Sequence, residues 1–520
     1  MQFQNNKEKI LIIDFGSQLT KLIARRVRES SVYSEVHPHT VTIEKLKSYR
    51  HLKGIIFSGG PASVYDEHAP KCDPEIFELG IPILGICYGM QFMAESLGGT
   101  IKKSNAQEYG PANLYIDNNF NLFEGLWLEM AIWMSHGDSV AKLPKDFIQL
   151  GHTDTCENAA MANPTQHFYG VQFHPEVVHT PKGIEMIKNF LFKICACDNS
   201  WTPDSFVTTS LKEIKDQVGD QKILCALSGG VDSTVAAALL HKAIGDNLLC
   251  VFIDQGFMRK GEAARIKKLF DEKYKINLAY IDARDRFHEK VKGITDPEEK
   301  RRAIGEEFIR VFEEKAKSLK AEYPFLAQGT LYPDIIESAT RDVSQNATKI
   351  KTHHNVGGLP EKMDFKVIEP LKKLFKDEVR KVGLELNVPE EIVHRQPFPG
   401  PGLAIRILGE VTKERVTILQ NADVIVQEEI KSSGYYRKVW QAFAVLLPIR
   451  TVGVQGDNRT YLNTIAIRAV TSDDAMTAKW AHLPYELLES ISSRIINEVP
   501  EVNRVVYDIS SKPPSTIEWE

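Results

Sequence analysis

The sequence predicts an α/β multidomain protein, two parallel-sheet α/β domains followed by a small α+β domain. Three observations carry this prediction. The chain has 520 residues, too many for one ordinary hydrophobic core. Short Ile/Val/Leu runs, each followed by a stretch with helical period, occur in two separate groups, as parallel strands with crossover helices require. The character then changes after HRQPFPGPGL (394–403), where Pro and Gly cluster.

The first group opens with KILIIDFGSQ (9–18) and the helical LIARRVRES, then GIIFSGGP (54–61) and IPILGICYGMQFMAESLGG (81–99). It closes with YGVQFHPEV (169–177) and a helix, GIEMIKNFLFKIC. CDNSWTPDSF (197–206) is polar and contains Pro, so it reads as a linker. The second group runs through KILCAL (222–227), NLLCVFID (247–254), INLAYIDA (276–283) and PFLAQGT (324–330). Residues 334–366, rich in Gly, His, Asn, Asp and Ser/Thr, predict a long loop. RILGEV, AIRAV and RVVYDI then predict antiparallel strands. Domains are accordingly expected at 1–199, 204–395 and 396–520.

Bulk properties narrow the function. Hydrophobic residues make up 43% and charged residues 26%, a globular composition. Lys and Arg total 64 against 69 Asp and Glu, a net charge of −5, which gives no electrostatic case for nucleic acid as a partner. No apolar run approaches the roughly 20 residues of a membrane span, and the polar start MQFQNNKEK lacks a signal layout, so a cytoplasmic protein with no membrane partner is expected. Seven scattered cysteines point to reduced thiols. The Cys195/Cys197 pair has no second Cys or His pair at ligand spacing nearby.

ILGICYGMQ places Cys87 between Gly85 and Gly89 just after an apolar strand. A sharp strand-to-helix turn needs small neighbours, projects its nucleophile and aims N–H groups at a developing oxyanion. A buried, inert cysteine is the plainer reading of a lone Cys. QFHPEV, however, sets His174 and Glu176 two apart on a strand, on the same face because strand side chains alternate. His174 then suits the base and Glu176 its orienting partner. With SGGPASVY (58–65), these segments resemble the class I glutamine amidotransferases over residues 8 to about 195. The resemblance implies a glutamyl thioester on Cys87 and release of ammonia from glutamine. It also implies Gly60 and Tyr88 as oxyanion N–H donors, and Gln91 beside the thiol.

SGGVDS (228–233) follows a strand and opens a helix, yet no Walker lysine follows it. Ser228, Gly229, Gly230, Val231 and Ser233 offer backbone N–H groups and hydroxyls to anionic oxygens. Asp232 suits a Mg2+ ligand, since a hard cation carrying polyphosphate takes one or two carboxylates. A tight turn with a good N-cap would use the same residues. The hexapeptide resembles the loop of the ATP pyrophosphatase (N-type) superfamily, whose adenine-nucleotide α-hydrolase-like members split ATP between the α and β phosphates. That implies a loop holding departing pyrophosphate, with 251–259 framing adenine and ribose and Gly329 near the base. Lys351, beside His353 and His354, reads as an anion contact, with a His-His metal site as the alternative. Lys376 is a phosphate candidate or an ordinary surface lysine.

The carboxyl end, RVVYDISSKPPSTIEWE, reads as a tail docked by Ile517 and Trp519, or as a site where Arg504 and Lys512 converge on a phosphate beside Thr516 and Glu518. The whole order, with HHNVGGLP, PFPGPGL and KPPSTIEWE, resembles the glutamine-hydrolysing GMP synthase family end to end. The resemblance implies that xanthosine 5′-monophosphate (XMP) binds through Arg301, Gln441, Arg504, Lys512, Thr516, Ile517 and Glu518. It further implies dimerisation through the C-terminal domain. A glutamine-dependent NAD synthase would need nitrilase-type Glu/Lys/Cys glutaminase residues in place of GICYGMQ and HPE. A non-enzymatic regulator on the same scaffold would lack Cys87, His174 or Asp232, and all three are present.

Overall fold

The computed structural model describes residues 8–341, 365–472 and 475–520. The chain divides into two compact units, Met1–Phe206 with Ile336–Ser344, and Val207–Ile335 with Gln345–Glu520.

The first unit runs β1 (Lys9–Asp14), α1 (Thr20–Glu29), β2 (Tyr33–Pro38), α2 (Ile43–Lys47), β3 (Leu52–Phe57), β4 (Ile83–Ile86) and α3 (Tyr88–Ser96). It continues with β5 (Thr100–Ile116), β6 (Glu129–Lys142), β7 (Ile148–His152), β8 (Ala160–Asn163), β9 (Phe168–Val171) and α4 (Gly183–Asn189). Its sheet has the order β2-β1-β3-β4-β9-β8-β7-β5-β6. The strands read from the sequence, β1, β3, β4 and β9, form the parallel half with β2. Ile10, Leu11, Ile12 and Ile13 of β1 have no exposure, as a strand covered on both faces should. In α1, buried Thr20, Ile23, Ala24 and Val27 follow the helical period. The antiparallel half, β5 to β8, was not anticipated. In β6, Met130, Ile132, Met134 and His136 point inward while their neighbours are exposed or half-buried, so the apolar signal is diluted at every second residue.

The segment read as a linker ends sooner than expected, because α5 (Pro203–Val218) begins at its proline. Trp201 is also nearly buried, 4.7 Å from the Tyr33 ring and beneath the Arg28 guanidinium.

After α5 the second unit runs β10 (Ile223–Leu227), α6 (Val231–Ile244), β11 (Leu248–Asp254), α7 (Glu262–Lys268), β12 (Asn277–Asp282), α8 (Arg284–Val291), α9 (Pro297–Leu319) and β13 (Phe325–Ala327). Then come α10 (Tyr332–Arg341), β14 (Lys366–Ile368), α11 (Lys376–Glu385), α12 (Glu390–Val393) and α13 (Lys413–Ser432). The last elements are β15 (Gln441–Gln455), β16 (Asn458–Thr471), β17 (Lys479–Trp480), α14 (Tyr485–Glu498) and β18 (Val502–Tyr507). The first five strands make a parallel sheet of order β12-β11-β10-β13-β14. The order reverses at β10, the place where open α/β sheets put their ligands.

Three expectations change here. Residues 334–341 are helix: Asp334 accepts from the N–H of Leu331 at 2.9 Å and stabilises the start of α10. RILGEV (406–411) makes only one bridge, Ile407 to Leu446, because Arg415 takes the carbonyls of Leu408 and Glu410 that a ladder would need. β18 pairs with β16 in parallel, since α14 carries the chain back before it. One hydrophobic cluster spans the second unit, from Leu224 and Val251 through Leu403 and Leu419 to Ile467.

Candidate active sites

In the first unit, β4 hands over to α3 through Cys87, which has φ +51° and ψ −109°, outside the regions an L-residue ordinarily adopts. The flanking glycines make the turn possible. A Cβ on Gly85 would stand 2.6 Å from the Met90 nitrogen, and one on Gly89 2.6 Å from the Phe57 oxygen. Tyr88 heads α3, where first-turn N–H groups have no partner within the helix. Gly60 lies against Phe15 and the Tyr88 ring, close enough that a Cβ would meet the Phe15 carbonyl at 2.8 Å.

His174 and Glu176 lie beyond the end of β9, in a turn, so strand alternation is not what joins them. The turn is pinned by Thr180 Oγ1 donating to His174 O at 2.7 Å, by His174 N donating to Trp133 O at 3.0 Å, and by Arg26 Nε donating to Glu176 O at 2.9 Å. His174 Nδ1 meets Glu176 Oε1 at 2.7 Å, and the ring lies beside Cys87: a Cβ on Gly59 would stand 3.1 Å from His174 Cε1 and 3.8 Å from the Cys87 Cβ. Burial opposes charge on His174. The Glu176 carboxylate and the neighbouring Cys87 sulfur outweigh it, and the imidazole titrates well above its ordinary value of 6.5.

The amide beside the sulfur belongs to Gln172, whose Nε2 is 3.6 Å from Sγ. Gln91 instead directs its side chain to Asp138 O at 2.7 Å and to Gln172 at 3.2 Å. The Cys87 thiol donates to Ser135 O at 3.6 Å. Gln172 stands two residues before His174 in the same motif, and that proximity was the available signal.

In the second unit SGGVDS joins β10 to α6, with Gly230 as the N-cap. Ser233 Oγ receives the Ser228 N–H and hydroxyl at 3.2 and 3.1 Å and donates to Gly230 O. Gly229 has φ +75°, and a Cβ there would collide with Ile266. Arg395, which the sequence reading missed although it stands in HRQPFPGPGL, donates to Gly229 O at 2.9 Å and pairs with Glu262. Val231 is buried against the sheet.

Asp232 pairs through Oδ2 with Lys376, the first residue of α11, while its Oδ1 is buried without a hydrogen-bond partner. A buried carboxylate oxygen left over in this way suits a cation. Gly329 lies across from Asp232, a Cβ on it reaching the Asp232 Cβ at 3.9 Å. A cavity of about 420 Å³ opens nearby in sequence terms, at the ends of β11 and β12, lined by Asp254, Gly256, Met258, Arg259 and Tyr280. Lys351, His353 and His354 lie outside the described residues.

The carboxyl-terminal tail closes on the second unit. Glu518 receives Arg406 Nε at 3.0 Å and Nη2 at 2.8 Å, and Gln441 Nε2 at 2.8 Å. Arg406 is fully buried, 3.9 Å from the Phe443 ring, and its Nη1 has no partner. Buried Arg468 donates to the carbonyls of Ser510 and Thr516 at 2.6 and 2.9 Å. Neither arginine was singled out from the sequence, since each stands alone within an apolar run, where nothing marks its distant partner. The Thr516 hydroxyl bonds to Glu518 O, and Arg301 bonds to Glu520 O. Ile517 is buried, whereas Trp519 is partly exposed and held through Nε1 to Asp508, so Ile517 alone anchors the tail by burial.

Arg504 and Lys512 do not converge within this chain. Arg504 pairs with Thr464 on β16 and donates to Val452 O. Lys512 bridges Ala478, next to Lys479, which pairs with Thr471. From Thr464 to Thr471 a strand advances about 23 Å. Lys512 Nζ instead bonds to Ala475 O at 2.8 Å.

Comparison with known proteins agrees with this geometry. Residues 11–194 match the family described as glutamine amidotransferase class-I, residues 205–305 that of NAD synthase, and residues 428–519 that of the GMP synthase C terminal domain. The chain is 60% identical over 519 residues to GMP synthase [glutamine-hydrolyzing] of Thermosynechococcus vestitus, covering 99% of this chain and 97% of that one. It is 58% identical over 512 residues to the protein of the same name from Carboxydothermus hydrogenoformans, covering 98% and 99%. With that of Synechocystis it shares 58% over 516 residues, covering 98% and 95%. The NAD synthase match covers the SGGVDS half only.

Proposed function

The chain belongs to the glutamine-hydrolysing GMP synthase family, and on that premise we infer how its residues divide the reaction. It is a ligase of guanine nucleotide synthesis. Glutamine is hydrolysed to ammonia, ATP adenylates XMP, and ammonia displaces AMP to give GMP, with pyrophosphate as the other product. Adenylation is needed because a purine carbonyl oxygen is a poor leaving group and AMP is a good one.

The observation that carries the residue assignment is the His174–Glu176 hydrogen bond beside Cys87 at the glycine-flanked turn. Cys87 Sγ attacks the side-chain amide carbon of glutamine, and its proton passes to His174. N–H groups of Gly60 and Tyr88 receive the developing oxyanion. His174 protonates the departing nitrogen, and water then hydrolyses the glutamyl thioester. Glu176 orients the ring and stabilises its charge. Gln172 and Gln91 act as supporting amides, Gln172 beside the sulfur and Gln91 bonded to Gln172.

In the second half, the loop of Ser228, Gly229, Gly230, Val231 and Ser233 would hold the pyrophosphate as the XMP oxygen attacks the α-phosphorus of ATP. Gly329 sits by the base, with Lys376 and Lys351 as phosphate contacts. Asp232 would hold Mg2+, which when bound offsets polyphosphate charge. Glu518, fixed by Gln441, would face the XMP base, with Arg301, Lys512, Thr516 and Ile517 around it and Arg504 as a further candidate. On this reading the tasks divide at 1–199, 204–395 and 396–520.

The protein is further proposed to be cytoplasmic and homodimeric. No helix among the described residues is long and apolar enough to cross a membrane. Ile449, Val452, Val454 and Tyr461 leave an apolar face on the β15–β16 ribbon at least half exposed, which supports pairing with a second copy. Sedimentation of the purified chain tests the dimer. The test of the reaction is GMP formation from XMP, ATP and Mg2+ with either glutamine or ammonium. Absence of GMP from both nitrogen sources would overturn the reading.

A further inference from the structure

The first unit holds a second set of chemistry-bearing side chains that the reaction leaves unused. Glu108 on β5 and His136 on β6 are register partners across the antiparallel pair. Cys156, between β7 and β8, completes the group, and one ligand atom from each lies within 4.8 Å of the others. His136 and Cys156 are buried and Glu108 is half-buried.

The surroundings of each donor are those of a metal ligand. His136 Nδ1 lies 2.9 Å from Asp138 O, an acceptor only, so Nδ1 carries a proton and Nε2 is the ring atom turned to the group. That Nε2 faces Glu108 Oε2 at 2.9 Å. The other oxygen, Glu108 Oε1, receives the Thr153 hydroxyl at 3.1 Å. The same Thr153 oxygen receives the Cys156 N–H at 2.9 Å, which ties the loop carrying the sulfur to the carboxylate. A plain His–Glu ion pair would need no sulfur here.

We propose that Glu108, His136 and Cys156 form a site for a zinc-class divalent cation, bound by one carboxylate oxygen, one imidazole nitrogen and one thiolate sulfur, with water in the fourth position. Binding releases to solvent the thiol proton and the proton shared by His136 Nε2 and Glu108 Oε2, and changes no oxidation state. Zinc bonds of about 2.0 to 2.3 Å in a tetrahedron put ligand atoms about 3.3 to 3.8 Å apart. The carboxylate and imidazole therefore part slightly, and the sulfur need close by no more than about 1 Å. A thiolate-imidazole set selects against Mg2+, which prefers an all-oxygen shell. The site also meets the glutaminase centre mechanically. Ser135 O, next to His136, accepts from the Cys87 thiol, and Asp138 O accepts from Gln91. An occupied site braces the segment of β6 beneath the nucleophile.

The experiment is titration of chelator-treated, full-length protein with Co2+, followed by thiolate-to-cobalt absorption, and with Zn2+ in competition. One equivalent per chain is expected, unaffected by excess Mg2+. Cys87→Ser must retain the signal, which separates this set from Cys87 and His174. Cys156→Ser must lose it, and Glu108→Gln, which keeps the hydrogen bond to the ring, must weaken binding at least about tenfold. Circular dichroism melts verify that each variant is folded. Loss in Cys87→Ser with retention in Cys156→Ser, or no cobalt-thiolate absorption in the parent protein, would overturn the proposal.

Discussion

Lys376 and Asp232 form an ion pair across 144 residues of sequence, and the pairing leaves one Asp232 oxygen buried without a partner. The lysine that a Walker loop would carry in the loop itself comes here from the start of α11. It sits on the carboxylate, where a bound cation and its phosphates would compete for both groups.

Asp232→Asn is therefore expected to lower GMP formation by at least about 100-fold with glutamine and with ammonium alike. Glutamine hydrolysis measured without ATP should stay close to the parent rate. Equal retention of synthesis from either nitrogen source would remove Asp232 from the reaction.

Cys87→Ala removes the sulfur that stands beside His174. Glutamine-dependent synthesis should disappear and ammonium-dependent synthesis should survive. Steady-state rates with the two nitrogen donors read this directly, and equal loss of both would show that the two centres do not divide the work.

Glu176→Gln takes away the carboxylate that helps hold His174 above 6.5. The sign is fixed by charge: a raised imidazole value means that the charged form persists to higher pH, and its stabilising pairing is full below 6.5 and lost as pH rises through the folded value. Because His174 must be neutral to take the thiol proton, the acidic limb of glutamine hydrolysis should move to lower pH in the variant than in the parent. Its melting temperature should also depend less steeply on pH above 6.5. The pH profile of ammonium-dependent synthesis should not move.

At Gly229, φ +75° and the contact with Ile266 both oppose a side chain. Gly229→Ala should cost about 1 to 3 kcal/mol in denaturant unfolding and raise the KM for ATP. An unchanged unfolding midpoint would mean that the loop adjusts freely.

Arg406 holds Glu518 by two hydrogen bonds from a fully buried guanidinium. Lysine keeps the charge and loses the fork. Arg406→Lys should raise the KM for XMP at least about tenfold while leaving that for ATP near the parent value. A change confined to ATP would detach Glu518 from the XMP site.

The central strands and both loops were legible because each is a contiguous pattern. KILIID and KILCAL announce buried strands, and Gly85, Gly89 and Gly229 mark turns that no larger residue could occupy. The antiparallel half of the first sheet was hidden, because strands such as β6 alternate buried and exposed side chains and carry polar His136 on the inward face. His174 and Glu176 were found for an incomplete reason. Their spacing suggested a strand, and a turn pinned by Thr180 and Trp133 joins them.

The sequence by itself determined which local chemistry the chain carries: a cysteine in a glycine-flanked elbow, an H-P-E segment, and a phosphate loop without a lysine. These are set by neighbours along the backbone, so composition and spacing suffice to find them. Only the tertiary structure decided that Gln172 rather than Gln91 touches the sulfur, that Lys376 covers Asp232, and that Arg406 grips Glu518. It also parted Arg504 from Lys512 along β16. Such pairings depend on strand register and helix placement, and a shift of one residue in a strand sends a side chain to the opposite face.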